Sequence, residues 1–248
     1  GRLSLIKAGG LLRYARTPRV VGLMISDVRG DDPAVIGSGL LCPRQRTPIP
    51  ECVPLQWREL LEHSPEQAAG IPPARLQVIA SNGDAMGSMV AAANARGLVV
   101  HLPDGVLAGD AKVVGRQIGE LLKGAAAGLY LWGGETTVVL PSRPGQGGRN
   151  QHLALAAAMA IEGCQGISLL ACGSDGNDGP GSWAGAIVDG GTLARGAGMG
   201  MEPEDCLQRA DSGSFLSASD DLLATGPTDT NVSDLVLGLV CAPGGELR

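Results

Sequence analysis

The sequence predicts an α/β protein of two domains, each a mixed or parallel sheet covered by helices. Three observations support this fold class: apolar runs alternate with helical segments, the connections are short, and small residues dominate the interior. The 248 residues include 39 glycines but only three Trp, two Tyr and one Phe, and 44% of the residues are hydrophobic. Ala, Val, Leu and Ile must therefore fill a sizeable core.

The first half of the chain predicts strands and helices in alternation. An apolar run that ends in an acidic corner predicts a buried strand over Val20–Ile25. Proline ends a helix, and Ser or Asn commonly caps the start of one, so Pro65 and the Ser81-Asn82 corner each mark a helix boundary. The further elements predicted here are a helix from Leu55 to His63, a strand over Leu76–Ala80, an Ala-rich helix after Ser81–Asp84 up to Ala95, a strand over Leu98–Val100 and a helix from Gly109 to Lys123.

The pattern restarts at Gly128, and we place a domain boundary near residue 126, which gives domains over 1–125 and 126–248. Gly133–Thr136 has the composition of a turn between two strands. The elements predicted in this half are strands over Leu129–Trp132 and Thr137–Leu140, a connection from Pro141 to Gly148, a helix from Arg149 to Ile161, a strand over Ile167–Ala171, a short helix near Pro203–Ala210, and strands over Leu222–Thr225 and Leu235–Val240.

Charge and cysteine content exclude several classes of protein. The net charge of −6 argues against bulk binding of nucleic acid or of an anionic membrane. The sequence has no apolar run long enough to span a bilayer. Six cysteines without a CxxC motif indicate reduced thiols rather than a disulfide scaffold or a zinc site. We therefore expect a cytoplasmic protein, or a mitochondrial one if the source is eukaryotic.

Five predicted strands end in similar Gly, Ser, Thr and Asp-rich corners. Such residues commonly form turns and caps, which explains any single corner. Together they favour a ligand site, because the carboxyl ends of parallel strands line the crevice of an open α/β sheet. The corners are Ser26-Asp27, Ser81-Asn82, Gly133–Thr136, Gly173–Gly176 and Thr225–Thr228.

Several common catalytic motifs are missing from the sequence. There is no Walker A pattern, no GxSxG elbow, and no GxGxxG that follows a strand. We interpret His63 and His101 as surface or structural residues, and His152 as a capping or solvent-exposed residue near a helix start. A His-dependent hydrolase is therefore disfavoured.

Arg149 and two aspartates are the strongest candidates for site chemistry. Arg149 follows a glycine-rich loop and opens a helix, where a guanidinium and free N–H groups suit an anion. Asp175 and Asp178 follow a buried strand and suit Mg²⁺ or a hydroxyl proton. An ordinary surface ion pair for Arg149, and Asx turns for the aspartates, are the alternatives.

Six segments of the chain carry motifs that a known family shares: Leu23–Ile36, Trp132–Thr137, Gly147–Gln151, Gly173–Pro180, Ala184–Asp189 and Thr225–Asp234. With matches in order from Leu3 to Val240, the chain resembles the glycerate 2-kinase family with its MOFRL domain. Two departures concern His152, where the family usually has Glu, and Gly181-Ser182, where it usually has Thr-Asp.

The resemblance implies ATP- and Mg²⁺-dependent phosphorylation of D-glycerate at its 2-hydroxyl, in a cleft between a Rossmann-like first domain and the MOFRL domain. It implies catalytic roles for Arg149, Asp175 and Asp27, with the acidic roles interchangeable. The metal ligands implied are Asp31, Asp32 and Asp178. The implied nucleotide contacts are Gly133, Gly134, Glu135, Thr136, Asn150, Thr228 and Asn231.

Alternatives remain at this point: a hydroxypyruvate reductase, or a non-catalytic module that binds an anion or a partner. The sequence also leaves open whether the protein forms a homodimer. The family carries an N-terminal section with a glycine-rich segment and a lysine before the matched part. We therefore expect the first-domain sheet to be incomplete, with an exposed edge or apolar face, and Gly1–Arg248 alone to lack glycerate kinase activity.

Overall fold

The computed structural model describes residues 4–43, 48–62, 74–105 and 107–242. Two compact units are present, Gly1–Ser81 and Asn82–Arg248. This division falls after Ser81, whereas the pattern that restarts at Gly128 predicts a domain boundary near residue 126, which stays a prediction. In the described part of the chain, no helix has the length and apolar character needed to cross a bilayer.

The first unit contains a two-stranded parallel sheet of β1, Val20–Ile25, and β2, Ala74–Ala80. Both strands form where the apolar runs predicted them, and the Ser26 N–H extends the ladder by donating to the Ala80 carbonyl over 2.8 Å. The prediction that β1 is buried is wrong, because only Gly22 of its six residues is buried and Val21 and Leu23 are 65% and 63% exposed. Helix α1 covers Leu55–Glu62, and its predicted last residue, His63, lies outside the described residues. Short 3₁₀ helices cover Gly10–Tyr14 and Ile36–Ser38.

The second unit contains a seven-stranded mixed sheet with helices around it. Its strands are β3 Val100–His101, β4 Leu107–Asp110, β5 Gly128–Thr137, β6 Ile167–Gly173, β7 Gly185–Asp189, β8 Leu222–Leu223 and β9 Asp234–Val240. Its helices are α2 Asn82–Ala95, α3 Ala111–Lys123, α4 Arg149–Ala160, α5 Thr192–Gly198, α6 Pro203–Gln208 and α7 Ser212–Ala218. The spatial order is β3-β5-β9-β6-β7-β8, and β4 also pairs with β5. The mixed α/β fold class is thereby confirmed.

Strand direction brings three chain segments to one edge of this sheet. Strand β9 is antiparallel to both β5 and β6, so β5 and β6 run in the same direction. The first residue of β9, Asp234, pairs with Gly134 near the end of β5 and with Gly173 at the end of β6. The sheet therefore places the residues after β5 and β6 beside the loop that precedes β9.

Helix α4 is the centre of the core. Its residues from Asn150 to Ala158 are all buried, and α3 packs closely against it. A Cβ atom at Gly115 of α3 would lie 2.2 Å from the Leu153 carbonyl oxygen, and one at Gly119 would lie 2.6 Å from the Ala160 Cβ. Glycine in α3 and alanine in α4 thus allow a close contact between the two helices.

Three sequence predictions in this unit are wrong in detail. The Gly133–Thr136 segment is not a turn but the second half of β5, because β4 pairs with it in parallel and satisfies its backbone groups. No strand returns over residues 137–140, where β5 ends at Thr137. Gly109 and Asp110 belong to β4, and Asp110 caps α3 by accepting from the Val113 N–H.

The remaining differences between the predicted and the observed elements concern short strands and helices. The strand expected over Leu98–Val100 is β3 at Val100–His101, and the one expected over Leu222–Thr225 ends at Leu223. Strands β4 and β7 and helices α5 and α7 are absent from the elements that the sequence predicts. Pairing with neighbours fixes such short strands, and that information is not local.

Candidate functional site

A cavity of about 480 Å³ opens at the sheet edge described above, within the second unit. The glycine loop before α4 forms one wall, and the loop after β6 forms another. Three of the predicted site residues line it: Arg149, Asp175 and Asp178. The structure therefore brings these three residues to one cavity, and their roles stay predictions.

The Arg149 guanidinium is held by two carboxylates. Its Nε and Nη2 donate to Asp234 Oδ2 and Oδ1 over 2.6 and 3.0 Å, in a fork-to-fork contact. Its Nη1 lies 2.7 Å from Glu135 Oε1. The hydrogen bond to Asp234 is the main cause that raises the pKa of Arg149. The guanidinium therefore stays charged, and Asp234 fixes its plane.

Asp234 is a residue of the candidate site that the sequence analysis did not single out. Its side chain is 1% exposed, whereas that of Glu135 is 51% exposed. Its position at the first residue of β9 places its backbone between Gly134 and Gly173. Asp234 is the last residue of the matching segment Thr225–Asp234, which is the one hint in the sequence that it belongs to the site. That its side chain contacts Arg149 follows only from the antiparallel pairing of β9.

Asp178 closes the N-terminus of α4. Its Oδ1 accepts from the Asn150 backbone N–H over 3.0 Å and its Oδ2 accepts from that of Gln151 over 2.8 Å. Burial raises the pKa of Asp178, and these backbone donors oppose the shift. Gly148 makes the approach possible, since a Cβ there would lie 2.3 Å from Asp178 Cγ. The anion at this helix start is thus the chain's own carboxylate.

Asp175 is half-buried in the same loop and faces the cavity. Its Oδ1 accepts from the Asn177 N–H over 3.0 Å, an Asx turn of the kind expected from the sequence. Within the described residues, no hydrogen bond to Oδ2 is present. Among those residues there is also no group of three or more His, Cys, Asp or Glu side chains that could hold a metal ion.

Thr228 and Asn231 stabilise the loop before β9. The Thr228 hydroxyl donates to the Ser174 carbonyl over 2.5 Å, and Asn231 Oδ1 accepts from the Ser233 N–H over 3.0 Å. The Ser174 hydroxyl accepts from the Val232 N–H over 2.8 Å. These bonds join the loops after β6 and before β9. The nucleotide role of Thr228 and Asn231 stays a prediction.

The β5 residues that were predicted to contact the nucleotide lie close to other segments of the chain. A Cβ at Gly133 would lie 1.8 Å from Asn82 Oδ1, and Asn82 Nδ2 donates to the Val232 carbonyl over 2.8 Å. Thr136 is buried. Among the described residues, neither its hydroxyl nor Asn150 Oδ1 has a hydrogen-bond partner. The ligand roles of Gly133, Gly134, Glu135, Thr136 and Asn150 stay predictions.

Asp27, Asp31 and Asp32 lie in the first unit, after β1. All three are exposed, and Asp32 Oδ1 accepts from the Ala34 N–H over 2.9 Å. Asp31 has a φ of 51°, the left-handed conformation that aspartate tolerates in turns. Their approach to Asp175, which belongs to the second unit, stays a prediction.

His152 and Cys172 have surroundings that the sequence did not predict. The interpretation of His152 as a capping or exposed residue is wrong, because it is 6% exposed on the cavity wall. Burial lowers the pKa of His152 and raises that of Cys172 to about 11. Both groups are therefore neutral at pH 7. All six cysteines are free thiols.

Comparisons with known proteins agree with this architecture. The sequence pattern of the MOFRL family matches residues 128–234, and a domain of unknown function, DUF4147, matches residues 1–71. A D-glycerate 2-kinase of Thermotoga maritima is 34% identical over 96% of this chain and 60% of its own length. A putative hydroxypyruvate reductase of Agrobacterium vitis is 36% identical over 94% of this chain and 66% of its own length.

Solved structures are similar over the same span. The crystal structure of a glycerate kinase from Thermotoga maritima superposes with a TM-score of 0.81 at 33% identity, covering 96% of this chain and 61% of that one. A protein from Pyrococcus horikoshii gives 0.75 at 29% identity, covering 97% and 60%. The chain spans between 58% and 66% of the length of four of the curated relatives it matches.

Proposed function

The chain belongs to the glycerate 2-kinase family, and from this premise we propose that it serves in the phosphorylation of D-glycerate. The 2-hydroxyl oxygen would attack the γ-phosphorus of ATP while the bond to the bridging oxygen of ADP breaks. The hydroxyl proton would pass to a carboxylate. Such a transfer needs in-line positioning and charge neutralisation more than covalent catalysis.

The observation that carries the proposal is the fixed guanidinium of Arg149 at the cavity. Buried Asp234 orients it through two hydrogen bonds. A planar, permanently charged fork suits a phosphoryl group or the carboxylate of D-glycerate. The contact with exposed Glu135 is exchangeable, because an arriving anion can replace that carboxylate at Nη1.

Asp175 fits the role of base or metal ligand better than Asp178 does. One oxygen of Asp175 has no hydrogen bond within the described residues, whereas both oxygens of Asp178 accept from backbone N–H groups of α4. Mg²⁺ prefers carboxylate oxygens and would neutralise the phosphates. In this proposal it would be held by Asp175 and by Asp27, Asp31 or Asp32.

The nucleotide would lie along the residues that the family resemblance implies, in a cleft between the two domains. Glu135 and Asn150 support this part of the proposal, since one is exposed next to Arg149 and the other has a buried amide oxygen without a partner among the described residues. The remaining proposed contacts are Gly133, Gly134, Thr136, Thr228 and Asn231.

The test is ADP formation with ATP and Mg²⁺, measured with and without D-glycerate. Because Gly1–Arg248 alone is expected to be inactive, the assay uses the chain together with the N-terminal section that the family resemblance implies. Phosphorus NMR of the product would distinguish 2-phosphoglycerate from 3-phosphoglycerate. We expect Arg149→Lys to lower turnover by about 10²-fold, because the single nitrogen of Lys cannot replace both the two donors bound to Asp234 and the Nη1 donor left for the anion. Arg143→Lys, an exposed arginine of the preceding connection, is the matched control and should leave turnover unchanged.

Reduction of hydroxypyruvate is the alternative activity, which the names of two relatives suggest. A reductase would consume NADH when hydroxypyruvate replaces D-glycerate and ATP is left out. The absence of GxGxxG after a strand argues against it. A protein that produces neither ADP nor NAD⁺ but binds D-glycerate would instead be an anion-binding module.

A further inference from the structure

His152 occupies a position on the cavity wall that the proposed chemistry does not use. It lies three residues after Arg149 in α4, so both side chains leave the helix on neighbouring positions of one face. Both line the same cavity, together with Asp175. The imidazole is therefore next to the proposed ligand, although it is nine-tenths buried.

Within the described residues, neither ring nitrogen of His152 has a hydrogen-bond partner, whereas its backbone N–H donates to the Gly148 carbonyl. The charged groups that act on the ring are Asp110 and Lys112, at the start of α3. Asp110 accepts from the Val113 N–H, and Lys112 pairs with Glu204. The imidazole thus faces the cavity with an unused donor and an unused acceptor.

The ring nitrogens of His152 are not among the buried polar atoms that lack a partner in the described residues, so they are accessible from the cavity. A ligand in the cavity can replace water as their hydrogen-bond partner. Neutral imidazole has one N–H donor and one nitrogen acceptor. An alcohol hydroxyl can accept from the first or donate to the second, whereas a phosphate or carboxylate is better served by the nearby guanidinium. The pair of Arg149 and His152 therefore suits a ligand that carries an anionic group beside a hydroxyl.

We propose that His152 binds D-glycerate by a hydrogen bond to one of its hydroxyl groups, while Arg149 binds an anionic group. This inference rests on the proposed function, because it takes D-glycerate as the ligand of the cavity. It makes His152 a ligand-binding residue that selects hydroxy acids over acids without the hydroxyl.

The experiment measures binding of D-glycerate by calorimetry to the wild-type protein and to His152→Phe and His152→Asn. Phe fills a similar volume without hydrogen-bonding atoms, and Asn keeps a donor and an acceptor. Two probes that each lack one hydroxyl, 3-hydroxypropionate and lactate, locate the contact. We expect Phe to weaken D-glycerate binding about tenfold and Asn to restore most of it, as one lost hydrogen bond implies.

The ligand comparison separates a contact from a structural role. His152→Phe should lose affinity for D-glycerate and for one of the two probes, and keep its affinity for the probe that lacks the contacted hydroxyl. Equal losses for all three ligands, or equal binding by His152→Phe and wild type, would overturn the inference alone. No binding of D-glycerate by the wild-type protein would overturn both this inference and the proposed function.

Discussion

At the residue scale, the two carboxylates on Arg149 differ in burial and therefore in effect. Asp234 is almost fully buried and makes two hydrogen bonds, whereas Glu135 is half exposed and makes one ion pair. Solvent screens an exposed pair and leaves it worth about 0–1 kcal/mol. A buried acceptor that loses its partner costs more, because water cannot replace the bond.

The first prediction compares Asp234→Asn with Glu135→Gln. We expect Asp234→Asn to lower the free energy of unfolding by about 1–3 kcal/mol, because one Arg149 donor loses its acceptor and the amide brings an N–H group toward the guanidinium. Glu135→Gln should lower it by less than about 1 kcal/mol. Urea denaturation of both variants is the measurement, and equal effects would contradict the orienting role of Asp234.

At the element scale, α4 depends on a cap supplied from a distant loop. Twenty-eight residues separate Asp178 from Asn150, and the contact forms only once β6 and α4 are packed together. The two backbone N–H groups that it binds would otherwise be buried without partners. The cap thus couples the order of the loop after β6 to the start of α4.

The second prediction tests this cap with two aspartates of one loop. Asp178→Ala should lower the free energy of unfolding by about 1–3 kcal/mol, since it removes the acceptor of the Asn150 and Gln151 N–H groups. Asp175→Ala removes one local contact to Asn177 and should cost less than about 1 kcal/mol. Thermal melts of the two variants give the comparison, and a larger loss for Asp175→Ala would exclude the cap as the reason.

The third prediction concerns the close packing of α3 on α4. Gly115→Ala should destabilise the protein by more than about 2 kcal/mol, because the new Cβ would meet the Leu153 carbonyl at 2.2 Å and the helices would have to separate. Gly87 in α2 has open space around it, so Gly87→Ala should be neutral or stabilising by up to about 1 kcal/mol. Chemical denaturation of both variants decides whether α3 and α4 are in contact as described.

At the scale of the whole molecule, the acidic residues of the first unit and the cavity of the second are expected to serve one reaction. Asp27 and Asp175 are 148 positions apart in the chain (175 − 27), so only the folded protein could bring them together. When catalytic groups act as a unit, the losses of activity caused by mutating each of them are not additive. This expectation rests on the family resemblance.

The fourth prediction is therefore a double-mutant cycle in the assay of ADP formation. Asp27→Asn and Asp175→Asn should each lower Mg²⁺-dependent turnover by at least about tenfold, because each removes a charged oxygen ligand. The double variant should lose less than the product of the two single losses if the carboxylates share one site. Fully multiplicative losses would place the two carboxylates in separate roles.

The sequence by itself determined the α/β class and most elements, because hydrophobic periodicity and capping are local properties. Val20–Ile25 is a strand and Asn82–Ala95 a helix, as the patterns predicted. The glycine loop before Arg149 and the acidic loop after β6 were also found from composition, and they do meet at one cavity. Residues close together in the sequence are enough to specify these elements and loops.

Tertiary structure decided what depends on partners far along the chain. Gly133–Thr136 has the composition of a turn, yet pairing with β4 makes it a strand. Asp234 faces Arg149 only because β9 runs antiparallel between β5 and β6, and His152 is buried only because α4 lies at the centre of the core. Strand direction and burial arise from packing across the whole unit, and no local pattern in the sequence contains them.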